Sequence, residues 1–363
     1  MSETATTSPH SSFDAFKQEA FIEKVLRDTS ATMTTILASI GDRLGLFKDL
    51  SVNSASTSAE FAARTGIHER YAREWLGGMA NAGYLEYDPA TRRFRLPVEH
   101  AAALAQENGP FFFGGACQMI PAMLSVGDQV VEAFRKGGGV HQSAYPPAFW
   151  EGLERFSAGW FENLLLQQWI PAMPQVEGKL KRGATLADVG CGRGRAIVKL
   201  AQAFSSSRFV GYDVFLPAVE QATERARAAG VGDRVKFQQL DAAKGITEQY
   251  DVITTFDVVH DAADPLGLLR AIRQALRPDG RYVCLDVNCS DKLEENAGPL
   301  GAMFHGVSIF YCMTTSLANG GAGLGTLGFH EPKVRELCAA AGFSLVRRVP
   351  LENPFNILYE IEP

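Results

Sequence analysis

Residues 185–200 read TLADVGCGRGRAIVKL, and the fold turns on how this stretch is read. The apolar positions Leu186, Ala187 and Val189 run into Gly190, Gly192 and Gly194, and an amphipathic segment follows from Ala196. That order is a strand, a glycine-rich turn and a helix. Asp188 completes the pattern D-x-G-x-G-x-G. Glycines suit such a turn because a ligand and a helix amino terminus must both approach bare backbone there.

Outward from this turn, strands are expected at 185–190, 208–213, 234–240, 250–256 and 281–287, then near 344–349 and 355–361. Helical patterns separate them, which predicts an α/β fold with a mostly parallel sheet covered on both faces. Asp213 ends RFVGYD, where a carboxylate can accept both hydroxyls of a ribose. Asp241 ends VKFQQLD, and with Ala242 it can read an adenine amino group. Three successive strands ending in Asp at one sheet edge favour a bound ligand over a bare tight turn. The glycine spacing is G-x-G-x-G, whereas the dinucleotide fingerprint is G-x-G-x-x-G. An Asp two residues before the first glycine also suits a cofactor bearing an ammonium group. S-adenosylmethionine is therefore favoured, with a dinucleotide-dependent oxidoreductase as the alternative.

The fourth strand leads into TTFDVVHDAADP at 254–265. Phe256 and Asp257 lie at its end, His260 and Asp261 follow, and Asp264-Pro265 starts a helix. This is the sheet edge where open α/β folds bind ligands. His260 is there either as a base, since imidazole titrates near neutral pH, or as a polar residue lining the site. His305 and His330 are alternatives. No metal is expected, because the separations form no ligand motif.

The front of the chain has a different texture. Residues 1–12 are polar and expected to be disordered. Residues 13–100 read as helices at 13–28 and 32–46, then a helix-turn-helix about Gly66 with Tyr71, Trp75, Leu76 and Met79 facing inward. A two-strand wing at 84–87 and 93–96 completes a winged helix. Residues 1–100 carry 11 Lys+Arg and 13 Asp+Glu, a net −2 (11 − 13). Counterion release needs a basic face, so a dimerisation scaffold is favoured over a DNA reader. Residues 101–180 read as a helical linker and lid region rich in aromatics, Trp160 among them.

Composition sets the remaining bounds. The formal charge of −6 over 363 residues gives no general attraction to nucleic acid or anionic lipid. Six cysteines without a CxxC pair fit buried reduced thiols in a cytoplasmic protein. No signal peptide is expected. Residues 108–127 and 296–330 lack Asp, Glu, Lys and Arg, but their Gly, Pro, Gln and Asn content argues for cavity walls rather than membrane spans.

Residues 183–363, with this loop and these carboxylates, resemble the class I S-adenosylmethionine-dependent methyltransferases. With the winged helix included, the chain is similar to caffeic-acid-type O-methyltransferases and related bacterial winged-helix methyltransferases. The resemblance implies a Rossmann-like seven-stranded sheet over 181–363 whose last strand, FNILYEIE, is antiparallel. It also implies a homodimer formed through the amino-terminal domain, and methyl transfer to a small-molecule acceptor. Cofactor contacts would fall to Asp188, Gly190, Gly192, Asp213 and Asp241, with Cys191, Gly194, Ala242, Phe256 and Asp257 alongside. In that family a His-Asp pair after the fourth strand deprotonates the acceptor hydroxyl, which maps onto His260 and Asp261. The carboxylate that positions the imidazole maps onto Asp286 in RYVCLDVN. The family's second supporting Glu has no counterpart ahead of His330 in ANGGAGLGTLGFHEP. The acceptor wall would include Met303, Phe304, Phe310 and Tyr311, with Trp160 opposite, so a largely apolar or aromatic acceptor is expected. A cofactor-sensing regulator and a non-methylating enzyme of the same fold stay open at this point.

Overall fold

The computed structural model describes residues 13–351 and 353–363; the expected disorder of residues 1–12 lies outside them. The chain divides into two compact units, one ending at Ala105 and the other spanning Gln106–Pro363.

The first unit holds α1 (Ala15–Arg43), α2 (Leu46–Val52), α3 (Ser58–Thr65) and α4 (Glu69–Asn81). After them come β1 (Glu86–Asp88) paired antiparallel with β2 (Arg93–Arg95), and α5 (Val98–Leu104). Thr57 and Glu60 form a capping box that starts α3, and Gly66 ends it in the left-handed region at φ 71°. Trp75 is the anchor: it packs on Phe47 and Phe61 and donates to the Leu37 carbonyl at 2.8 Å. Two expectations are corrected here. The expected pair of helices at 13–28 and 32–46 is one continuous helix, because no Gly or Pro interrupts it before Gly41. Thr29 and Thr32 fold their hydroxyls onto the carbonyls of Val25 and Asp28. Tyr71 does not face inward; it is 77% exposed, while Ala72, Trp75, Leu76 and Met79 form the buried stripe of α4.

The second unit opens with four helices, α6 (Gly114–Met123), α7 (Gly127–Lys136), α8 (Pro147–Asn163) and α9 (Pro174–Arg182). The sheet is built from β3 (Thr185–Val189), β4 (Arg208–Asp213), β5 (Val235–Gln239), β6 (Tyr250–Phe256), β7 (Leu276–Val287), β8 (Leu345–Val349) and β9 (Asn356–Glu362). Their spatial order is β5-β4-β3-β6-β7-β9-β8, parallel except that β9 runs antiparallel to both its neighbours. Helices α10 (Arg195–Ala203), α11 (Leu216–Ala228), α12 (Pro265–Ala275), α13 (Pro299–Val307), α14 (Met313–Ala318) and α15 (Glu331–Ala341) complete the unit.

The strands are buried on both faces, so the period of two sorts their side chains into two cores. Leu186, Val252, Val283 and Leu285 point to one side, with Trp169, Leu180, Ile197 and Leu200. Ala187, Ile253, Tyr282 and Cys284 point to the other, with Leu269, Ile272 and Tyr359. This packing fixes the carboxyl ends of β3, β4, β6 and β7 along one edge. The uncharged stretch 296–330 carries a helical run, Pro299–Ala318, that by length and composition alone could cross a membrane; 39% of it is buried within the protein. A π turn at Ser308–Cys312 interrupts this run and places Tyr311 and Cys312 among the buried residues. All six cysteines are free, and Cys191, Cys284, Cys312 and Cys338 are buried.

Candidate active site

Strand β3 delivers Asp188 into the interior, 2% exposed, where the Thr254 hydroxyl donates to it at 2.6 Å. Burial pushes its pKa up to about 7, the nearby Asp213 adds to the rise, and Thr254 works against it. The glycines after it all adopt left-handed backbone, with φ of 70°, 51° and 75° at Gly190, Gly192 and Gly194. They do different work. A Cβ on Gly190 would lie 2.6 Å from Val258, and one on Gly194 would lie 2.8 Å from Phe237, so both permit close packing. Gly192 differs: a Cβ there would meet nothing within 4 Å. The loop's outer residue is tied down by Asp213, which accepts from the N–H groups of Gly192 at 2.8 Å and Phe215 at 2.9 Å. Burial raises Asp213 as well. Asp241 sits at the end of β5, accepts from Ala243 N–H at 3.2 Å and pairs with exposed Lys244. Ala242 is buried beside it. Phe256 turns its ring toward Phe161 and Trp169, into the core.

His260 lies on a short 3-10 turn just past β6 and is 4% exposed. Its Nδ1–H donates to Asp286 Oδ1 at 2.6 Å, and Asp286 is fully buried at the end of β7. That contact fixes the tautomer and leaves Nε2 as the reactive nitrogen. Nε2 stands 3.1 Å from Asp261 Oδ1. Burial disfavours the imidazolium, but Asp286 and Asp261 outweigh it and hold His260 well above the ordinary imidazole value. Asp257, at φ 55°, accepts from Asn356 at 2.7 Å, and burial next to Asp286 pushes it up to about 7. Carboxylates thus stand on both sides of the ring, Asp286 at Nδ1 and Asp261 at Nε2.

The other histidines do different things. His330 caps α15 by accepting from Lys333 N–H, and His305 is exposed. Metal-capable atoms do converge in one place among the described residues: those of His260, Asp261 and Cys312 lie within 4.8 Å of one another. Burial pushes the Cys312 thiol up to about 12, so it stands there as a protonated neighbour of the imidazole.

The expected acceptor wall resolves into two aromatic clusters. Tyr311 packs against Tyr145, Phe149 and Trp150, and Trp150 stacks on Phe215 at 5.2 Å, two residues beyond Asp213. Phe310 is half-buried, and its carbonyl accepts from Tyr145. Trp160 and Phe304 instead meet Phe355, with Phe156 alongside; Met303 is half-buried. A cavity of about 810 Å³ opens past the end of β7, lined by Asn288, Cys289, Gly301, Phe304 and Ile357 among others. Sequence reasoning missed Thr254, Phe215, Asn356 and Phe355, while Trp150 lies among the aromatics of the expected lid region. Only Phe215, next to a strand-ending Asp, carried a local signal.

Known proteins match the two parts of this chain. Residues 32–106 match the Rv2258c-like winged HTH domain, and residues 180–316 match a methyltransferase domain. The chain thus carries a methyltransferase domain behind a winged helix-turn-helix domain. The 27-O-demethylrifamycin SV methyltransferase of Amycolatopsis mediterranei is 33% identical to it over 109 residues, 30% of this chain and 40% of that protein. The ubiquinone biosynthesis O-methyltransferase of Ruegeria pomeroyi is 31% identical over 110 residues, 30% of this chain and 44% of that protein. The chain thus spans less than half the length of these curated relatives. The mitomycin 7-O-methyltransferase MmcR superposes with a TM-score of 0.72 at 19% identity, over 96% of this chain and 100% of that one. Human N-acetylserotonin methyltransferase, solved in complex with SAM, gives 0.69 at 16%, over 97% and 99%. Likeness at such identity shows the fold, and S-adenosylmethionine is the cofactor of this fold. The methyltransferase domain fits it, with Gly192 open, the buried carboxyl of Asp188 and the half-buried Asp213 beside the loop.

Proposed function

We propose that the protein is an S-adenosylmethionine-dependent O-methyltransferase acting on a hydroxyl of a small, largely apolar or aromatic molecule, with His260 as general base. One observation carries this reading: the buried Asp286 holds His260 Nδ1 at 2.6 Å, at the sheet edge that also bears the glycine loop. The relatives, a 27-O-demethylrifamycin SV methyltransferase and a ubiquinone biosynthesis O-methyltransferase, support a hydroxyl as acceptor.

S-adenosylmethionine, when bound, supplies an electrophilic methyl group on a sulfonium. Asp188 would meet its ammonium, Asp213 its ribose hydroxyls, and Asp241 with Ala242 its adenine. Tyr311 and Phe310 on one side, and Trp160, Met303 and Phe304 on the other, would hold the acceptor and exclude water. His260 Nε2, in its neutral form, would take the proton of the acceptor hydroxyl as that oxygen is methylated. Alignment of the two partners can supply roughly 7–11 kcal/mol, and the base roughly 3–5 kcal/mol. The test is transfer of isotope-labelled methyl from S-adenosylmethionine to a pool of phenols, catechols, thiols and carboxylic acids. Label in phenols or catechols is expected. Label confined to thiols or carboxylic acids rejects the hydroxyl assignment, and tight NAD(H) binding without S-adenosylhomocysteine binding rejects methyl transfer altogether.

The amino-terminal unit serves, on this reading, as a homodimerisation module. Along α1 the exposed residues Ile22, Leu26, Met33, Ile36 and Ile40 form one apolar stripe at helical spacing. Stripes of that length on a soluble protein mark a partner surface. On α4, Arg70 and Arg73 are paired with Glu74 and Glu69, which leaves little charge for a phosphate backbone. The free cysteines suit a reducing, cytoplasmic setting. L26D combined with I36D is expected to halve the mass measured by light scattering; an unchanged dimer would place the interface elsewhere.

A further inference from the structure

We infer that Glu154 on α8 is a positioning residue for the cofactor loop, acting through an ion cluster that clamps α8 onto residues 190–195. The inference rests on the cofactor reading above.

The loop has an anchoring problem. Three of its residues are glycines, which offer no side chain to hold, and a free glycine backbone is costly to order. Among residues 190–195, side chains that can be gripped belong to Cys191, Arg193 and Arg195. Cys191 is gripped from below: it is buried, and its Sγ lies 2.8 Å from where a Cβ of Gly211 would stand. Arg193 is gripped from above, where its Nη1 donates to Glu154 Oε2 at 3.1 Å. Glu154 also accepts from Arg195 at 2.9 Å and from Arg225, while Arg225 Nη1 donates to the Arg193 carbonyl at 2.8 Å. One carboxylate, 16% exposed, therefore gathers the loop, the start of α10 and the helix α11.

The start of α10 needs this help. It has no acidic residue in its first turn and no side-chain cap, and its first residue is Arg195, a cation at the positive end of the helix. Helix α8 supplies the missing negative charge from another element. Glu162, two turns beyond Glu154, accepts from Arg195 at 3.1 Å and from Lys199 at 2.7 Å. Four cations face two carboxylates, so loss of either carboxylate leaves like charges facing each other. The same helix carries Trp150, stacked on Phe215, and Trp160 in the acceptor wall. Seating α8 therefore organises the cofactor loop and the acceptor wall together.

E154Q is expected to weaken S-adenosylhomocysteine binding about tenfold by calorimetry, which corresponds to about 1.4 kcal/mol. Amide hydrogen exchange over residues 190–195 should quicken in the ligand-free protein. E154D should recover most of the affinity, and E132Q, in an exposed ion pair on α7, should leave it unchanged. At saturating S-adenosylmethionine the E154Q turnover should stay within about threefold of wild type, so the effect falls on KM. R193Q should weaken binding in the same direction, and the E154Q/R193Q double variant should lose less than the sum. Should E154Q not fold, R193Q and E162Q carry the same test on milder changes. Folded E154Q or R193Q binding S-adenosylhomocysteine as tightly as wild type overturns the positioning role. Wild type failing to bind it at all overturns the cofactor reading instead, so the two failures are distinct.

Discussion

His260→Ala is expected to lower kcat by roughly 10²–10⁴-fold while S-adenosylhomocysteine binds as tightly as to the wild type. The size follows from what is removed. A hydroxyl is a poor nucleophile, and a positioned imidazole takes its proton as the bond to carbon forms. Alignment survives the substitution, so a residual rate well above zero should remain. The pH dependence separates a base from a group that only lines the site. Asp286 and Asp261 together raise His260 well above the usual imidazole range, which favours the protonated ring. It must lose that proton before it can accept another. In the wild type kcat/KM should therefore climb with pH through an ionisation above 6.5. D261N removes one of the two carboxylates and keeps the Asp286 contact, so it should move that ionisation to lower pH. A rate for H260A within a few-fold of wild type, with an unmoved profile in D261N, would return His260 to a lining role.

The reach of sequence reading is clearest at this pair. His260 and Asp261 stand in a local motif at a strand end. Asp286 was reached through the family resemblance, and in the structure it lies near the end of β7, beside β6 in the sheet. Asn356 was not reachable. It comes to Asp257 only because β9 runs back antiparallel along β7, with Asn356 opposite Val287. Nothing in the local sequence near either residue encodes that register. The same holds for Phe355 against Trp160, and for Glu154 against Arg193. The sheet was legible nearly strand by strand because its buried apolar runs are short, sharply bounded and punctuated by Gly and Asp. The front helices were less so. Their polar Ser-Thr stretch at 29–35 resembles a break, yet threonine hydroxyls folded onto the preceding turn let α1 continue to Arg43. Tyr71 misled for a related reason: a large aromatic suggests a core, whereas the small Ala72 occupies the inward position.

Asp188→Asn should separate stability from function in opposite directions. The carboxyl of Asp188 titrates near 3.8 in an unfolded chain and is pushed up to about 7 by burial in the ligand-free fold. Between those values the folded state holds a proton that the unfolded state has lost. Stability contributed at this site must therefore fall as pH rises from about 4 to about 7, and above that the buried charge is carried at full cost. An amide has no such cost. It can still accept from Thr254, so D188N should raise the apo Tm at pH 8 and flatten its decline across that window. Cofactor binding should move the other way. In the wild type an arriving ammonium gives the buried carboxylate its missing counter-charge, so S-adenosylhomocysteine affinity should rise as pH increases through 7. In D188N that dependence should vanish and affinity should drop about 10- to 100-fold, the worth of one charge-assisted hydrogen bond in a dry site. If D188N proved less stable at pH 8 and bound the ligand as wild type does, Asp188 would be a structural hydrogen-bond partner of Thr254 and the ammonium would have to be met elsewhere. A carboxylate kept where it weakens the empty protein is otherwise hard to account for, except by a cation that completes the site.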